Sequence, residues 1–395
     1  MSGAPDAGAD LEVSIVRDDP LFRVQRAIGL IPASGFGAGR RALLLALGSW
    51  LPIAVWALLA GRALGGAVDE PLLTHFGVTV RCLVSIPLLV LAEAAAHAHT
   101  ARIAPYFARS GLVGPELLPR FREVVRGVAA LRSATLPWVL IASLVVAWTL
   151  FDQSAAHSHE LLWAEADPGV PAHLGFGGWW FWIVVRPIFT ALLLAWIWRV
   201  ALLGVLLGRI ARLDLALVPT HPDRAAGLGF LETLPGAFSL VALAISAVFA
   251  SRWAHDVVYH EVSVQALAPQ MGALIAILLA LFVAPLLAFA PSLAAARRRA
   301  LLDYGVLVGE HGRRVRRRWI EGGTVPDDGL LEAPELGPVA DTVALYEAVR
   351  AMRTAPIGVR SALPILLPAA LPVLVVLALQ IPLKSLVLGL LKVLA

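Results

Sequence analysis

Seven long apolar stretches constrain the fold of this chain more than any other feature of its sequence. They cover about residues 43–63, 72–95, 133–151, 178–204, 234–254, 270–295 and 362–381. A bilayer core about 30 Å thick requires roughly 20 apolar residues per helix, and each stretch meets that length. With 59% hydrophobic and only 15% charged residues, the chain is also too apolar for a soluble domain. The sequence therefore predicts an all-α, polytopic transmembrane helix bundle of about seven spans.

The spans divide the chain into four regions. Residues 1–42 form an N-terminal segment, 43–295 a six-span core, 296–361 a basic, partly helical cytoplasmic loop, and 362–395 the seventh span with a C-terminal interfacial helix. Pro382 interrupts the apolar end of the chain, and about 14 residues are too few to cross a bilayer. The alternative is an eighth span that is formed together with part of the seventh. The sequence shows no clear internal repeat among the seven spans.

A short amphipathic helix is predicted before the first span. Asp19 is a favoured N-cap, and Pro20 suits the first helical position. Apolar residues then recur at helical spacing, at Leu21, Val24, Ile28 and Ile31. Such a helix is suited to the lipid headgroup layer.

The arginines predict the orientation of the bundle. When the spans alternate in direction, 25 of the 30 arginines fall in loops on the N-terminal side. Basic loops stay in the cytoplasm, so the N-terminus is predicted to be cytoplasmic. Seven spans then place the C-terminus outside, although Lys384 and Lys392 near that end run against the rule.

Two arginines inside spans form the first candidate site. Arg81 and Arg186 lie at matched depth in the second and fourth spans, and the spans carry no Asp or Glu at that depth. Each precedes a proline, Pro87 or Pro187, which frees a helical carbonyl group nearby. A buried charge is costly, so the pair predicts either a cationic cavity for an anionic or electronegative ligand, or simple capping by carbonyl groups.

The histidines suggest two weaker sites. Glu93 and His97 are one helical turn apart near the cytoplasmic end of the second span, which predicts a possible proton relay or a structural pair. His157, His159, His255 and His260 lie in outer loops and are weak candidates for metal binding or pH sensing. Their spacing matches no established metal signature, so solvated histidines are the alternative.

The loop THPDRAAGLGF, residues 220–230, is a further candidate. Its polar and glycine residues, His221, Asp223, Arg224, Gly227 and Gly229, suggest a small anion site or a packing motif. The fingerprint of a dinucleotide-binding loop is absent.

Two arginine clusters border the sixth span. They comprise Arg297, Arg298, Arg299, Arg313, Arg314, Arg316, Arg317 and Arg318. Basic residues beside a span attract anionic lipid, and we expect lipid rather than nucleic acid as their partner. After a linker, residues 341–353 predict a helix with Leu345, Val349 and Met352 on one face, suited to docking a partner.

Five segments scattered over most of the chain carry a resemblance. They are DPLFRVQRAIGLIP (19–32), THPDRAAGLGF (220–230), EHGRRVRRRWI (310–320), PVADTVALYEAVRAMR (338–353) and ALQIPLK (378–384). By these segments the chain resembles a family of uncharacterised bacterial multi-pass inner-membrane proteins with no assigned activity. The resemblance implies a bacterial cytoplasmic membrane location and transfers no catalytic residue.

Three classes of function follow from these features. The first is a channel-like or transport protein with Arg81 and Arg186 on its pathway. The second is a non-transporting scaffold or sensor that docks a cytoplasmic partner. The third, a membrane enzyme acting on lipid or quinone, has the least support, because no catalytic or cofactor motif is found. The cofactor is unknown, since the sequence contains no recognised cofactor motif, and the sequence is compatible with a homo-oligomer.

Overall fold

Helices make up most of the part of the chain that the computed structural model describes, which is residues 11–32, 35–64, 71–151, 163–164, 174–323 and 337–380. Within these residues, seven helices are long and apolar enough to cross a membrane: Ala38–Leu59, Phe76–Arg109, Leu118–Leu150, Phe176–Ile210, Gly229–Tyr259, Val264–Ile320 and Val359–Gln380. We call them spans 1 to 7. The predicted all-α polytopic bundle is thereby confirmed.

The described residues form fourteen α-helices. The helices are α1 Pro20–Ala27, α2 Ala38–Leu59, α3 Phe76–Val80, α4 Ile86–Thr100, α5 Ile103–Arg109, α6 Leu118–Arg132, α7 Thr135–Phe151, α8 Phe176–Trp180, α9 Arg186–Ile210, α10 Ser239–Tyr259, α11 Val264–Val283, α12 Ala290–Val315, α13 Gly337–Arg350 and α14 Val359–Gln380. Two of these helices, α1 and α13, lie outside the seven spans. Stretches of 3₁₀ helix, Gly229–Phe238 and Ala284–Phe289, precede α10 and α12.

Span 5 is the most buried of the seven spans. Its α10 packs against α4 and against α14, while α2 packs against α4 and α11 packs against α14. Span 3 lies at the periphery, where α7 packs against α9. None of the most apolar part of span 3 is buried inside the protein. Because the exposed surface of α7 is almost entirely apolar, this helix has the character of a lipid-facing one.

Spans 2 and 4 share one irregular pattern. In span 2, α3 is followed by a π-helical turn, Arg81–Ser85, and α4 then carries Pro87 at its second position. In span 4, α8 is followed by a π-helical turn, Phe181–Val185, and α9 carries Pro187 at its second position. A proline has no N–H to donate, so the normal hydrogen-bond ladder is interrupted just before it. The predicted break at each proline is therefore present as a wide turn, and the two spans form a local repeat that the sequence did not reveal.

The N-terminal segment enters the bundle instead of only lying beside it. Leu11, Val13, Ile15 and Val16 are each at most 4% exposed and belong to the main hydrophobic core. The predicted helix follows as α1, with Asp19 as its N-cap and a proline at its start. On α1, Phe22 and Gln25 face inward, whereas Val24 and Ile28 of the predicted apolar face are exposed.

Beyond span 6 the chain folds back on itself. The helix of α12 continues through a π-helical turn, Arg316–Ile320, and α13 packs against α12. On the face of α13 that the sequence identified, Val349 and the following Met352 are buried, whereas Leu345 is exposed. The predicted C-terminal interfacial helix, residues 382–395, lies outside the described residues.

Candidate functional site

Four charged side chains meet inside the bundle, near the end that carries the N-terminal segment. They are Asp19, Arg41, Glu93 and Arg199, each at most 1% exposed, and we call them the ion cluster. Arg199 donates from Nε and Nη2 to Oδ2 of Asp19, at 3.1 and 2.8 Å. Its Nη2 also donates to Oε1 of Glu93 at 2.9 Å, and Nη2 of Arg41 donates to Oε2 of the same carboxylate. The cluster therefore contains two acids and two bases in one connected chain of contacts.

The four residues come from four separate elements. Asp19 caps α1 by accepting from the Phe22 N–H at 2.7 Å with its second oxygen, so one carboxylate serves both the cap and the cluster. Arg41 lies on α2, Glu93 on α4 and Arg199 on α9. The cluster therefore ties the N-terminal segment to spans 1, 2 and 4.

Balanced pairing is what makes this burial possible. Removing a single charge from water costs several kcal/mol, and only close opposite charges with good hydrogen bonds offset that cost. The Trp196 ring adds a favourable contact, with its centroid 4.9 Å from the Arg199 guanidinium carbon. Burial raises the pKa of the Asp19 carboxyl above its ordinary value, and the nearby charge of Arg199 offsets only part of that rise.

Arg81, one of the two sequence-predicted arginines, lies at the contact between spans 2 and 4. It is the first residue of the π-helical turn in span 2. Its guanidinium carbon lies 5.3 Å from the centroid of Phe181 and 5.5 Å from that of Phe189. Since Phe181 is the first residue of the matching turn in span 4, the two irregular turns meet directly. Two aromatic faces stabilise the charge of Arg81.

Arg186 follows the second π-helical turn and begins α9, next to Pro187. Like Arg81 it is partly buried. The structure thus places both arginines at the irregular turns, where the prolines had suggested free carbonyl groups.

Glu93 and His97 face different partners. Glu93 belongs to the ion cluster, whereas Nε2 of His97 lies 3.8 Å from an oxygen of Glu12. The His97 ring also lies 4.9 Å from the ring of Phe36, centroid to centroid. The contacts of Glu93 are therefore made with Arg41 and Arg199, and His97 interacts with the N-terminal segment.

In the loop of residues 220–230, the backbone N–H groups bind a carboxylate from the same loop. The carboxylate of Asp223 accepts from the backbone N–H groups of Ala225, Gly227 and Gly229, at 2.8, 3.2 and 2.7 Å. Burial alone would raise the pKa of Asp223, but these hydrogen bonds and the contact with His221 lower it below the ordinary value. A Cβ on Gly229 would lie 2.7 Å from the Asp223 Cβ, so this position requires glycine. The backbone N–H groups that an external anion would need in this loop therefore already donate to the Asp223 carboxylate.

Arg353 fastens this loop to the chain after α13. Its N–H donates to the carbonyl of Arg224 at 2.7 Å, and its Nη2 donates to the carbonyl of Asp223 at 3.0 Å. Its guanidinium also forms an ion pair with the largely buried Glu232. Sequence reasoning missed this contact, because Arg353 was counted only as one of many arginines on the basic side.

The histidines at the opposite end of the bundle form a small ring group. The ring centroid of His255 lies 5.0 Å from that of His75 and 5.5 Å from that of His260. His157 and His159 lie outside the described residues. Among the residues that are described, no group of three or more His, Cys, Asp or Glu side chains is arranged to hold a metal ion.

Several arginines in the C-terminal half of span 6 make contacts within the protein. Arg297 donates to the carbonyl of Arg350 at 2.9 Å, Arg314 pairs with Glu310 at 2.6 Å, and Arg316 pairs with Glu321 at 3.0 Å. These pairs are exposed, so each contributes little to stability.

No protein-family model, curated protein or solved structure matches the chain. The class of the protein follows from the fold itself. Seven apolar helices of spanning length, in the described part of the chain, define a multi-pass α-helical membrane protein.

Proposed function

We propose that the protein is a channel-like or transport protein whose pathway runs between spans 2 and 4. The observation that carries this proposal is the repeated irregular turn, Arg81–Ser85 and Phe181–Val185, in two spans that touch at this level. Wide turns in membrane helices occur frequently at functional sites. Interrupted helices in corresponding positions are also the best indication of a transporter binding site near the middle of the bilayer.

The ligand that suits this place is anionic or electronegative. Arg81 supplies a positive charge, and Arg186 lies at the matching level of span 4. Stacking against phenylalanine uses the flat faces of a guanidinium, whereas hydrogen bonds use its N–H edge. Aromatic contact and recognition of an anion are therefore compatible at Arg81.

In this proposal the ion cluster is the closure at one end of the pathway. It joins spans 1, 2 and 4, which include both interrupted helices, and it holds the N-terminal segment within the same helices. Ionisable groups inside a membrane bundle are expensive and usually mark a functional path. Opening this end would require the two acids and two bases to separate or to exchange partners.

The arginine-rich end of the bundle, which carries the N-terminal segment and loops 211–228 and 321–323, is proposed to face the cytoplasm. The distribution of arginines over alternate loops supports this orientation. The resemblance noted above extends the proposal to a bacterial inner membrane, with anionic lipid beside the arginines that end span 6.

The scaffold alternative loses its clearest support. Val349, at the centre of the face expected to dock a partner, is fully buried, and Met352 after the helix is 3% exposed. Because α13 packs against α12, this part of the face is already used inside the chain, whereas Leu345 is exposed.

Anion flux tests the proposal. We expect proteoliposomes containing the full chain to conduct at least one anion from a panel of chloride, nitrate, acetate and benzoate, followed with the charge movement balanced by valinomycin and potassium. Replacing Arg81 with methionine should lower that flux at least about tenfold, the change expected when about 1.4 kcal/mol of favourable interaction is lost. Replacing the exposed Arg252 with methionine is the matched control and should leave the flux unchanged.

Two outcomes would contradict the proposal. The first is flux no greater than in protein-free liposomes for every anion tested, which would favour the scaffold or sensor. The second is equal flux in the two variants when both elute as folded protein, since Arg81 would then have no role in conduction.

A further inference from the structure

A cavity of about 330 Å³ opens where span 2 ends and span 5 begins. Its lining includes His99, Arg102 and Tyr106 from the end of span 2, and Phe230, Thr233 and Leu234 from the start of span 5. We call it the interfacial cavity. Its volume lies within the range of about 300–1,000 Å³ that small-molecule sites occupy.

One side of the interfacial cavity is polar and basic. Nδ1 of His99 bonds the carbonyl of Ala95 at 2.9 Å, so Nε2 is the ring nitrogen on the side of span 5. A Cβ on Gly236 would lie 3.6 Å from this Nε2. Arg102 is exposed at the rim, and the described residues that line the cavity include neither aspartate nor glutamate. The cavity therefore has a positive charge that its own lining does not neutralise.

The other side is apolar and rigid. The Tyr106 and Phe230 rings lie 4.3 Å apart, centroid to centroid, and Phe230 also contacts the buried Phe107 at 5.1 Å. Leu231 and Leu234 are at most 4% exposed. A ligand with a charged head and an apolar continuation would satisfy both sides at once.

The cavity lies at the arginine-rich end of spans 2 and 5, next to where the long apolar stretch of each span ends in the sequence. In a bundle that crosses a bilayer, this is the level at which lipid headgroups are expected. Anionic headgroups bind basic pockets between transmembrane helices at this depth. Arginine also matches the geometry of phosphate oxygens by donating two parallel hydrogen bonds.

We propose that the interfacial cavity binds the phosphate of an anionic phospholipid, with Arg102 as the main phosphate contact and the aromatic floor beneath the glycerol and first acyl carbons. This site is separate from the pathway between spans 2 and 4, and its existence does not depend on transport. The same phosphate chemistry is offered by a soluble phosphate ester, which the experiment distinguishes.

Lipid binding to the purified full chain tests the proposal. Dioctanoyl phosphatidylglycerol, dioctanoyl phosphatidylcholine, glycerol 3-phosphate and inorganic phosphate are titrated separately, and bound lipid is measured by native mass spectrometry and by the thermal shift. We expect phosphatidylglycerol to bind most tightly. Arg102→Gln should weaken that binding about tenfold, the equivalent of about 1.4 kcal/mol.

Two further variants keep the test specific. Arg109→Gln removes another exposed arginine from the same span, outside the cavity lining, and should leave affinity unchanged. Thr233→Trp fills the cavity without changing its charge and should abolish binding. The proposal is wrong if Arg102→Gln and Arg109→Gln weaken binding equally, or if Thr233→Trp has no effect, because either result indicates general surface attraction. Equal affinity for glycerol 3-phosphate and phosphatidylglycerol would overturn the lipid assignment in favour of a soluble phosphate ester.

Discussion

Replacing Arg199 with leucine is expected to lower the free energy of unfolding by about 3–5 kcal/mol, the usual cost of removing one partner from a buried ion pair. Arg199 is fully buried and contacts both acids of the ion cluster. Without it, Asp19 and Glu93 would share only Arg41, and one carboxylate would have to take up a proton or draw water into the bundle. The change is measured by thermal or SDS-induced unfolding of purified protein in detergent.

The matched control for this substitution is Arg298→Leu. Arg298 is exposed on α12, and its loss should change stability by no more than about 0.5 kcal/mol. If the two leucine variants unfold at the same temperature and denaturant concentration, the ion cluster does not contribute to stability.

A double variant, Arg41→Met with Glu93→Gln, should be less destabilised than the sum of its single changes, because it removes one charge of each sign.

Replacing Gly177 with alanine is expected to destabilise the protein by about 1–3 kcal/mol, the cost of inserting a methyl group into a packed interior. A Cβ on Gly177 would overlap the indole of Trp56 and lie 3.0 Å from the ring of Trp163. Both rings are bulky and rigid, so α8 would have to move away from α2. The contact between the Trp180 indole N–H and the carbonyl of Gly48, at 3.2 Å, would weaken with it.

Gly204→Ala provides the control within the same span. A Cβ at Gly204 would meet no atom within 4 Å, and alanine is about 1 kcal/mol more favourable than glycine inside a helix. We therefore expect Gly204→Ala to be neutral or stabilising while Gly177→Ala is destabilising. Equal effects of the two substitutions would show that the Trp56 contact is not as close as the structure places it.

Much of the fold could be predicted because the membrane imposes a simple rule on sequence. Each apolar stretch of sufficient length became a helix, and the N-cap of α1 at Asp19 was recognisable from two residues. The ends of the spans were less predictable, since helices continue past the apolar part. Span 6 runs from Val264 to Ile320. Its apolar part was predicted to end at about residue 295, and the helix continues into the basic region that was predicted to be partly helical, because an arginine-rich sequence is still a good helix former.

The ion cluster was not predicted, because its contacts join residues far apart in the chain. Asp19 and Arg199 are separated by 180 residues, and Arg199 and Glu93 by 106. Glu93 and Arg199 do, however, carry opposite charges near the same ends of two parallel spans, and this was a usable signal. A weaker sequence signal indicated the burial of Asp19, because apolar residues precede it at positions 13, 15 and 16.

The N-terminal segment packs into the arginine-rich end of the bundle, and the contacts of Asp19 with Arg199 hold it there. Two neighbouring residues allow a direct test, since Val16 is fully buried and Arg17 is exposed. The one native cysteine, Cys82, is also buried, so the natural chain should give a low background in thiol labelling.

The decisive measurement is the rate at which a maleimide reagent labels Val16→Cys and Arg17→Cys in native membranes. We predict rapid labelling at position 17 and labelling at least about a hundredfold slower at position 16, the ratio expected if exposing that site costs about 3 kcal/mol. Adding Asp19→Asn should accelerate labelling at position 16 and leave position 17 unchanged. Equal rates at the two positions in the otherwise unaltered chain would contradict the account, because the segment would then lie outside the bundle.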